Sequence, residues 1–288
     1  MSELEVKGVT KKYGRKTVLD GVSVNFRQGH SYGLLGRNGA GKSTLINIIM
    51  QRRRCDSGIV TLDGVDIRNN DRLMSRLFCM NDSALYPADF RLKTVFSITN
   101  SMYGKFDMTY ALRLSELFGL DLKKRTGQLS TGYNTIYKVI LALASNADFV
   151  FLDEPVLGID VNQRELFYKT LARKMNEETS CFIISTHIIE EAQNLIDRVL
   201  VLHEGRIILS DDTESLLGKY AAVSGKCDLV DSFTADKKVI CTENMGVFKK
   251  AVFEAESFSG DVPGELSLDT VDLQQLFYYL TGGAPEEV

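Results

Sequence analysis

The 288-residue sequence lacks any apolar run approaching the ~20 residues that a membrane span needs, so the chain is not expected to cross a bilayer itself. Histidine is scarce, with three in all, and the five cysteines (Cys55, Cys79, Cys181, Cys227, Cys241) are scattered without the paired spacings of a metal site. With no secretory leader, a reduced, cytosolic setting is the expectation. Internal repeats and low-complexity tracts are also missing, which sets aside solenoids and linker-rich chains. Nor is there an excess of positive charge: the formal net charge is -4, which argues against a nucleic-acid binder dominated by phosphate neutralisation. The local exception, Arg52-Arg53-Arg54, reads as the cationic end of a helix that starts at Lys42, where positive charge suits the helix dipole.

What is present centres on His30 to Met50. A short apolar run, Tyr32 to Leu35, has the character of a buried strand, and a helical apolar pattern resumes at Leu45, Ile46, Ile48 and Ile49. Between them lies Gly36-Arg37-Asn38-Gly39-Ala40-Gly41-Lys42-Ser43, a full G-x-x-x-x-G-K-S phosphate loop in the strand-to-helix setting it requires, with Thr44 next. Glycines let backbone N–H groups curl toward one point, and the helix N-terminus adds partial positive charge there. Lys42 is expected to reach the β- and γ-phosphates, and the Ser43 hydroxyl to ligate Mg²⁺. A plain glycine-rich turn does not account for Lys42-Ser43 at this offset.

A second motif follows the continuous apolar run Phe149-Val150-Phe151-Leu152, which ends in Asp153-Glu154-Pro155. A buried strand of this kind delivers Asp153 to the sheet edge, where its carboxylate holds Mg²⁺ through water. Glu154, one residue on, is placed to orient or deprotonate an attacking water. His187 ends another apolar strand, Cys181 to Ile184 followed by Ser185-Thr186, where a neutral imidazole is suited to bond a γ-phosphate.

The rest of the chain fits around these elements. Residues 3 to 9 and Val18 to Phe26 alternate as edge-type strands, Ile59 to Leu62 leads into an Asp63-Gly64 hairpin turn, and Leu77 to Met80 reads as a short buried strand. Leu92 to Ile140 reads as helical, punctuated at Gly104, Gly119 and Gly127, with Leu112, Leu114, Leu117 and Phe118 as its core-facing stripe. Helices are expected at Val161 to Met175 and Glu190 to Ile196, and a hairpin around Glu204-Gly205. Strands alternating with helices predict a parallel-sheet α/β core with an antiparallel portion near the start. Past Tyr220 the texture changes: short strands are expected at Lys226 to Leu229, Lys238 to Cys241 and Gly264 to Leu268, a closing helix at Asp269 to Leu280, and a frayed tail from Gly282.

Taken together, these residues resemble the ATP-binding subunit of an ABC transporter over about residues 3 to 220. The phosphate loop is Gly36 to Ser43, the Walker B strand is Phe149 to Asp153, Glu154 matches the catalytic carboxylate and His187 the switch histidine. Gly158-Ile159-Asp160 matches the D-loop, and Tyr13 the aromatic that stacks on adenine. Leu129-Ser130-Thr131-Gly132-Tyr133 matches the signature, whose Ser130 and Gly132 the resemblance implies will cap the γ-phosphate held by the opposite subunit. Two departures stand out. Thr131 and Tyr133 replace a glycine and a glutamine of L-S-G-G-Q, which implies a weaker ATP-driven closure. Asn81, before Leu85-Tyr86-Pro87, replaces the Q-loop glutamine, which keeps the amide but shortens its reach to the metal.

The resemblance therefore implies an α/β P-loop NTPase core of the ABC-ATPase type over residues 1–220. That core has a mixed sheet with an antiparallel edge and a helical subdomain at about 88–145, and a small α+β accessory domain follows at 221–288. It implies ATP bound by Tyr13, Gly36, Arg37, Asn38, Gly39, Ala40, Gly41, Lys42, Ser43, Thr44, Ser130 and Gly132. Mg²⁺ would be held at Ser43, Asp153 and Asn81, with Glu154, His187 and Lys42 as the catalytic set. The segment Leu266 to Gly282 is similar to the tail of bacterial exporter-type ATPases that serve drug, peptide-antibiotic or lantibiotic export. The expected partners are a separate membrane permease and a second ATP-binding subunit, and the expected place is the cytoplasmic face of the cell membrane. Soluble relatives acting on ribosomes or DNA fit less well, since the chain has one nucleotide domain and no long coiled coil. A nucleotide switch with little turnover is the other reading that the altered signature leaves open.

Overall fold

β-Strands that are buried on both faces set the architecture. β1 (Glu3–Tyr13) and β2 (Lys16–Arg27) form a hairpin, and β3 (Ser31–Leu35) runs into helix α1 (Lys42–Ile49). β4 (Ser57–Leu62) and β5 (Val65–Asp66) follow, then α2 (Asp71–Met74) and β6 (Leu77–Met80). Three helices come next: α3 (Leu92–Met102), α4 (Met108–Leu117) and α5 (Thr131–Ala144). The chain then returns through β7 (Phe149–Asp153), α6 (Val161–Glu177), β8 (Cys181–Ser185), α7 (Ile189–Ala192), β9 (Arg198–His203) and β10 (Arg206–Asp212). The computed structural model describes residues 1–177, 179–255 and 262–282.

A four-stranded sheet of order β2-β1-β4-β5 has antiparallel pairs throughout, and a six-stranded sheet of order β10-β9-β3-β8-β7-β6 is parallel from β9 to β6. Every residue of β3, β6, β7 and β8 is buried. That is why these strands are continuous apolar runs, whereas β1 and β2 alternate. The two sheets share one core, in which Phe26 of β2 meets Phe151 of β7 edge to face at 5.8 Å. Leu45, Ile46, Ile48 and Ile49 of α1 pack into it. Parallel register brings the C-terminal ends of β3, β6, β7 and β8 to one edge, with Asp153 opposite Ser185 and Met80 opposite Leu152.

The chain divides into two compact units between Ser210 and Asp211, ahead of the change in texture seen at Tyr220. The second unit holds α8 (Thr213–Gly218), β11 (Tyr220–Lys226), α9 (Cys227–Thr234), β12 (Val239–Met245), β13 (Phe248–Glu254), β14 (Ser267–Thr270) and α10 (Leu273–Leu280). Its antiparallel sheet, of order β12-β13-β11-β14, has a core of its own around Val223, Val230, Ala251, Phe253 and Leu266.

Four local expectations are corrected. Cys227 to Thr234 is a helix rather than a strand from Lys226, because Val230 and Thr234, one turn apart, are its buried face. The strand expected from Gly264 begins at Ser267, where pairing to Ser224 starts. The buried face of α4 is Ala111, Leu114 and Ser115, continued by Phe118, while Leu112 and Leu117 are exposed. Helix α1 ends at Ile49, so Arg52 to Arg54 lie beyond it, and the Arg52 guanidinium instead bonds the carbonyl of Cys79 at 3.4 Å. Past Gly282 the expected tail lies outside the described residues.

Candidate active site

The loop between β3 and α1 is shaped by positions where no side chain fits. At Gly36 an added Cβ would sit 2.5 Å from the Leu202 carbonyl oxygen. Gly41 has φ 113, a left-handed conformation, and its Cβ would meet Leu19 Cδ2 at 2.8 Å and the Val18 carbonyl at 2.9 Å. Helix α1 starts at Gly41 with no side-chain cap and no acidic residue in its first turn, so its leading N–H groups remain available to an anion. Lys42 is buried, and its ammonium donates to the carbonyls of Gly36 and Arg37. Burial pushes its pKa down, while the charges of Glu154 and Asp153 push it back up.

β7 brings two carboxylates to the same edge. Asp153 is buried, which raises its pKa, and the nearby Ser185 and Ser43 hydroxyls together with the field of Lys42 oppose that rise. Glu154 turns away from the strand with φ 52, uncommon for a residue other than glycine. Its backbone N–H is fixed to the Ser185 carbonyl at 2.7 Å, and its Oε2 lies 2.7 Å from His187 Nδ1. A strained backbone held by the neighbouring strand and an acid–imidazole pair are the marks of a built site.

Asn81 is the first residue after β6, whose last residue, Met80, pairs with Leu152 of the adjacent strand, the residue before Asp153. It is 6% exposed, and its amide oxygen Oδ1 is buried without a hydrogen-bond partner. The Ser43 hydroxyl and the Asp153 carboxylate share the cleft wall and are hard oxygen donors that suit Mg²⁺, and the orphaned Asn81 oxygen is a third donor of the same kind at the end of the neighbouring strand. Among the described residues no cluster of three His, Cys, Asp or Glu could hold a metal alone.

The phosphate loop and the two carboxylates border a cleft of about 390 Å³ walled by Lys16 and Val18, Arg37 to Gly39, Gly41 to Thr44, Asp153 and Glu154, and neither Asn81 nor His187 is part of its wall. Lys16 and Val18 were not among the sequence-derived candidates; their place across the β1–β2 turn from Tyr13 is the signal that could have found them. Other candidates stand apart from this cleft. Tyr13 is 46% exposed, with the Lys11 ammonium 5.5 Å from its ring, and it is not part of the cleft wall. Ser130 caps its own helix, its hydroxyl accepting from the Tyr133 N–H at 3.3 Å. Gly132 and Thr131 pack on the loop after β7: a Cβ on Gly132 would sit 2.5 Å from the Gly158 carbonyl, and one on Gly158 would sit 2.8 Å from Thr131 Cγ2. Asp160 caps α6 by accepting from the Gln163 N–H at 3.0 Å.

Sequence reading also missed Lys138 of α5. It is 2% exposed, and its ammonium donates to the carbonyls of Asn81, Asp82 and Ser83 at 2.8, 3.0 and 2.8 Å.

Comparison with known proteins places this geometry in context. The family model described as "ABC transporter" matches residues 19–157. The ABC transporter ATP-binding protein YtrB of Bacillus subtilis (strain 168) is 26% identical over 287 residues, covering 97% of this chain and 98% of that protein. AlbC of the same organism, named for an ABC transporter ATP-binding protein, is 31% identical over 217 residues, 72% of this chain and 90% of that protein. The Nod factor export ATP-binding protein I of Burkholderia orbicola (strain AU 1054) is 28% identical over 263 residues, 89% of this chain and 85% of that protein. Among solved structures, an ATP-binding subunit of an ABC transporter superposes with a TM-score of 0.67 at 22% identity, covering 74% of this chain and 91% of that one. The ATP-binding cassette MJ0796, in a dimeric post-hydrolysis state bound to ADP and Pi, gives a TM-score of 0.63 at 24% identity, covering 73% of this chain and 98% of that one.

Proposed function

The chain belongs to the ABC transporter family as an ATP-binding protein, and on that premise we propose that it hydrolyses Mg-ATP to drive export through a separate membrane permease. The observation that carries this reading is the Glu154–His187 pair, 2.7 Å apart at adjoining strand ends and beside the lysine of the phosphate loop. Export is the direction suggested by the relative named for Nod factor export. Translocation is assigned to a partner at the cytoplasmic face, following the relatives' names as ATP-binding proteins of transporters; among the described residues no helix is long and apolar enough to cross a membrane.

In this reading the free N–H groups of α1 and the Lys42 ammonium hold the β- and γ-phosphates. The Glu154 carboxylate orients the attacking water and accepts its proton, and His187 fixes that carboxylate. Ser43, Asp153 and Asn81 would hold Mg²⁺, which when bound neutralises charge on the phosphate oxygens. Ser130 and Gly132 are assigned to the nucleotide of a second ATP-binding subunit, and Tyr13 to adenine.

The test is phosphate release by the purified full chain, alone and with the membrane protein that co-purifies with it. Stimulation by that protein supports the reading. The capped state of Ser130 and the packing of Thr131 on Gly158 favour a second reading, a nucleotide switch with low turnover. Binding of ATP with no turnover in either condition would select it.

A further inference from the structure

Ten consecutive residues of α5, Thr135 to Ala144, are buried, and nine of them can be buried at little cost. Lys138 is the exception: a cation removed from water is strongly disfavoured unless its donors are matched. Its three donors meet three successive carbonyls, those of Asn81, Asp82 and Ser83, within 2.8 to 3.0 Å. Among the described residues, Asp82 to Ala84 make no main-chain hydrogen bond to another main-chain group. The shape of this turn is therefore imposed from α5. Burial also lowers the Lys138 pKa, against the opposing charge of Asp82, so the cost of keeping the cation here is real.

The turn starts at Asn81, whose amide oxygen is buried and without a partner, one residue past the Met80–Leu152 pair and so at the strand end next to the one that carries Asp153. An asparagine side chain has two torsions, so where its oxygen goes is largely decided by its own backbone. The Asn81 carbonyl is one of the three groups that Lys138 holds.

We propose that Lys138 is a positioning residue, whose ammonium fixes the turn of residues 81–83 so that the Asn81 amide oxygen is presented to the Mg²⁺ bound at Ser43 and Asp153. This rests on the proposed metal role of Asn81, and it makes the clamp a counterpart to the short reach of asparagine.

The experiment measures binding of a fluorescent ATP analogue to the full chain carrying Glu154→Gln, with Mg²⁺ and with EDTA. The ratio of the two dissociation constants reports what the metal adds. Asn81→Ala should lower that ratio. Lys138→Met should lower it by about tenfold, the usual cost of removing a group that orients a metal ligand, with the metal-free constant unchanged. Combining both changes should lower the ratio no further than Asn81→Ala alone, and Lys138→Arg, which keeps the cation, should recover most of it. If Lys138→Met does not fold by circular dichroism, Lys138→Gln, whose amide still donates to a carbonyl, carries the same expectation. A normal ratio in the Lys138 variants when Asn81→Ala has lowered it overturns the positioning role, as does a parallel loss of metal-free affinity. A normal ratio in Asn81→Ala overturns the metal reading of Asn81, and the role of Lys138 with it.

Discussion

Replacing Glu154 with glutamine separates chemistry from binding at this site. The carboxylate is not bonded to the phosphate loop; its partner is His187 Nδ1 at 2.7 Å. Glutamine keeps an oxygen able to accept from that imidazole and takes the same left-handed backbone at φ 52, so the local fold should survive. What is lost is the negative charge and the proton acceptor. Positioned general bases contribute about 10²–10⁴-fold, or roughly 3–5 kcal/mol of barrier at 1.36 kcal/mol per decade. Affinity for ATP should hold or rise, since a carboxylate near the γ-phosphate repels it. Lys42→Ala should do the opposite and weaken binding itself. Loss of a hydrogen bond to a charged group costs about 1.5–3 kcal/mol, or roughly 10- to 150-fold in dissociation constant. Phosphate release under saturating Mg-ATP, read beside the affinity for a fluorescent ATP analogue, distinguishes the two patterns. Turnover in folded Glu154→Gln within a few-fold of the natural protein would show that another group positions the water, and the acid–imidazole pair would lose its assigned role.

Burial holds the Asp153 carboxyl above its ordinary range, so the folded state keeps a proton that the unfolded chain has already released. Stability then falls as pH rises from the ordinary carboxylate range through the raised value. Asp153→Asn should therefore raise Tm at neutral pH in EDTA and lose that advantage toward acid; an equal Tm at neutral pH would count against the burial argument. Tyr13→Ala should weaken ATP binding by about 1–3 kcal/mol if the ring stacks on adenine, and equal affinity would leave it a hairpin tyrosine. Mg-ATP should shift Glu154→Gln from monomer toward dimer in light scattering. Thr131→Gly should strengthen the shift by removing the side chain packed at Gly158, and a monomer under both conditions would rule out self-pairing.

The parallel sheet was legible because burial on both faces demands continuous apolar strands, and Tyr32 to Leu35, Phe149 to Leu152 and Cys181 to Ile184 all read that way. Short strands and helices in the second unit were not. Val230 and Thr234 are separated by four residues, which fits a helix face, but eight residues give periodicity too little length to outweigh the strand-like look of the segment. The stripe on α4 failed for a related reason. Leucine is common on exposed helix faces, so Leu112 and Leu117 carried no information about which side met the core.

Within the site, residues tied to a fixed local spacing were readable, and residues joined by tertiary contact were not. Gly36 to Thr44 and Asp153-Glu154 depend on neighbours in sequence, and the fold places Arg37 to Gly39, Gly41 to Thr44 and both carboxylates on one cleft. Lys138 lies 57 positions from Asn81, and alone it reads as a polar interruption in an apolar helix. Its significance appears when β6 and α5 are in place and three carbonyls are found around one ammonium. A buried charge costs stability wherever it sits, so an apolar residue of similar volume would serve α5 at least as well for packing. The lysine is better explained by the turn it shapes than by the helix that carries it, which puts the functional signal in the contact between segments.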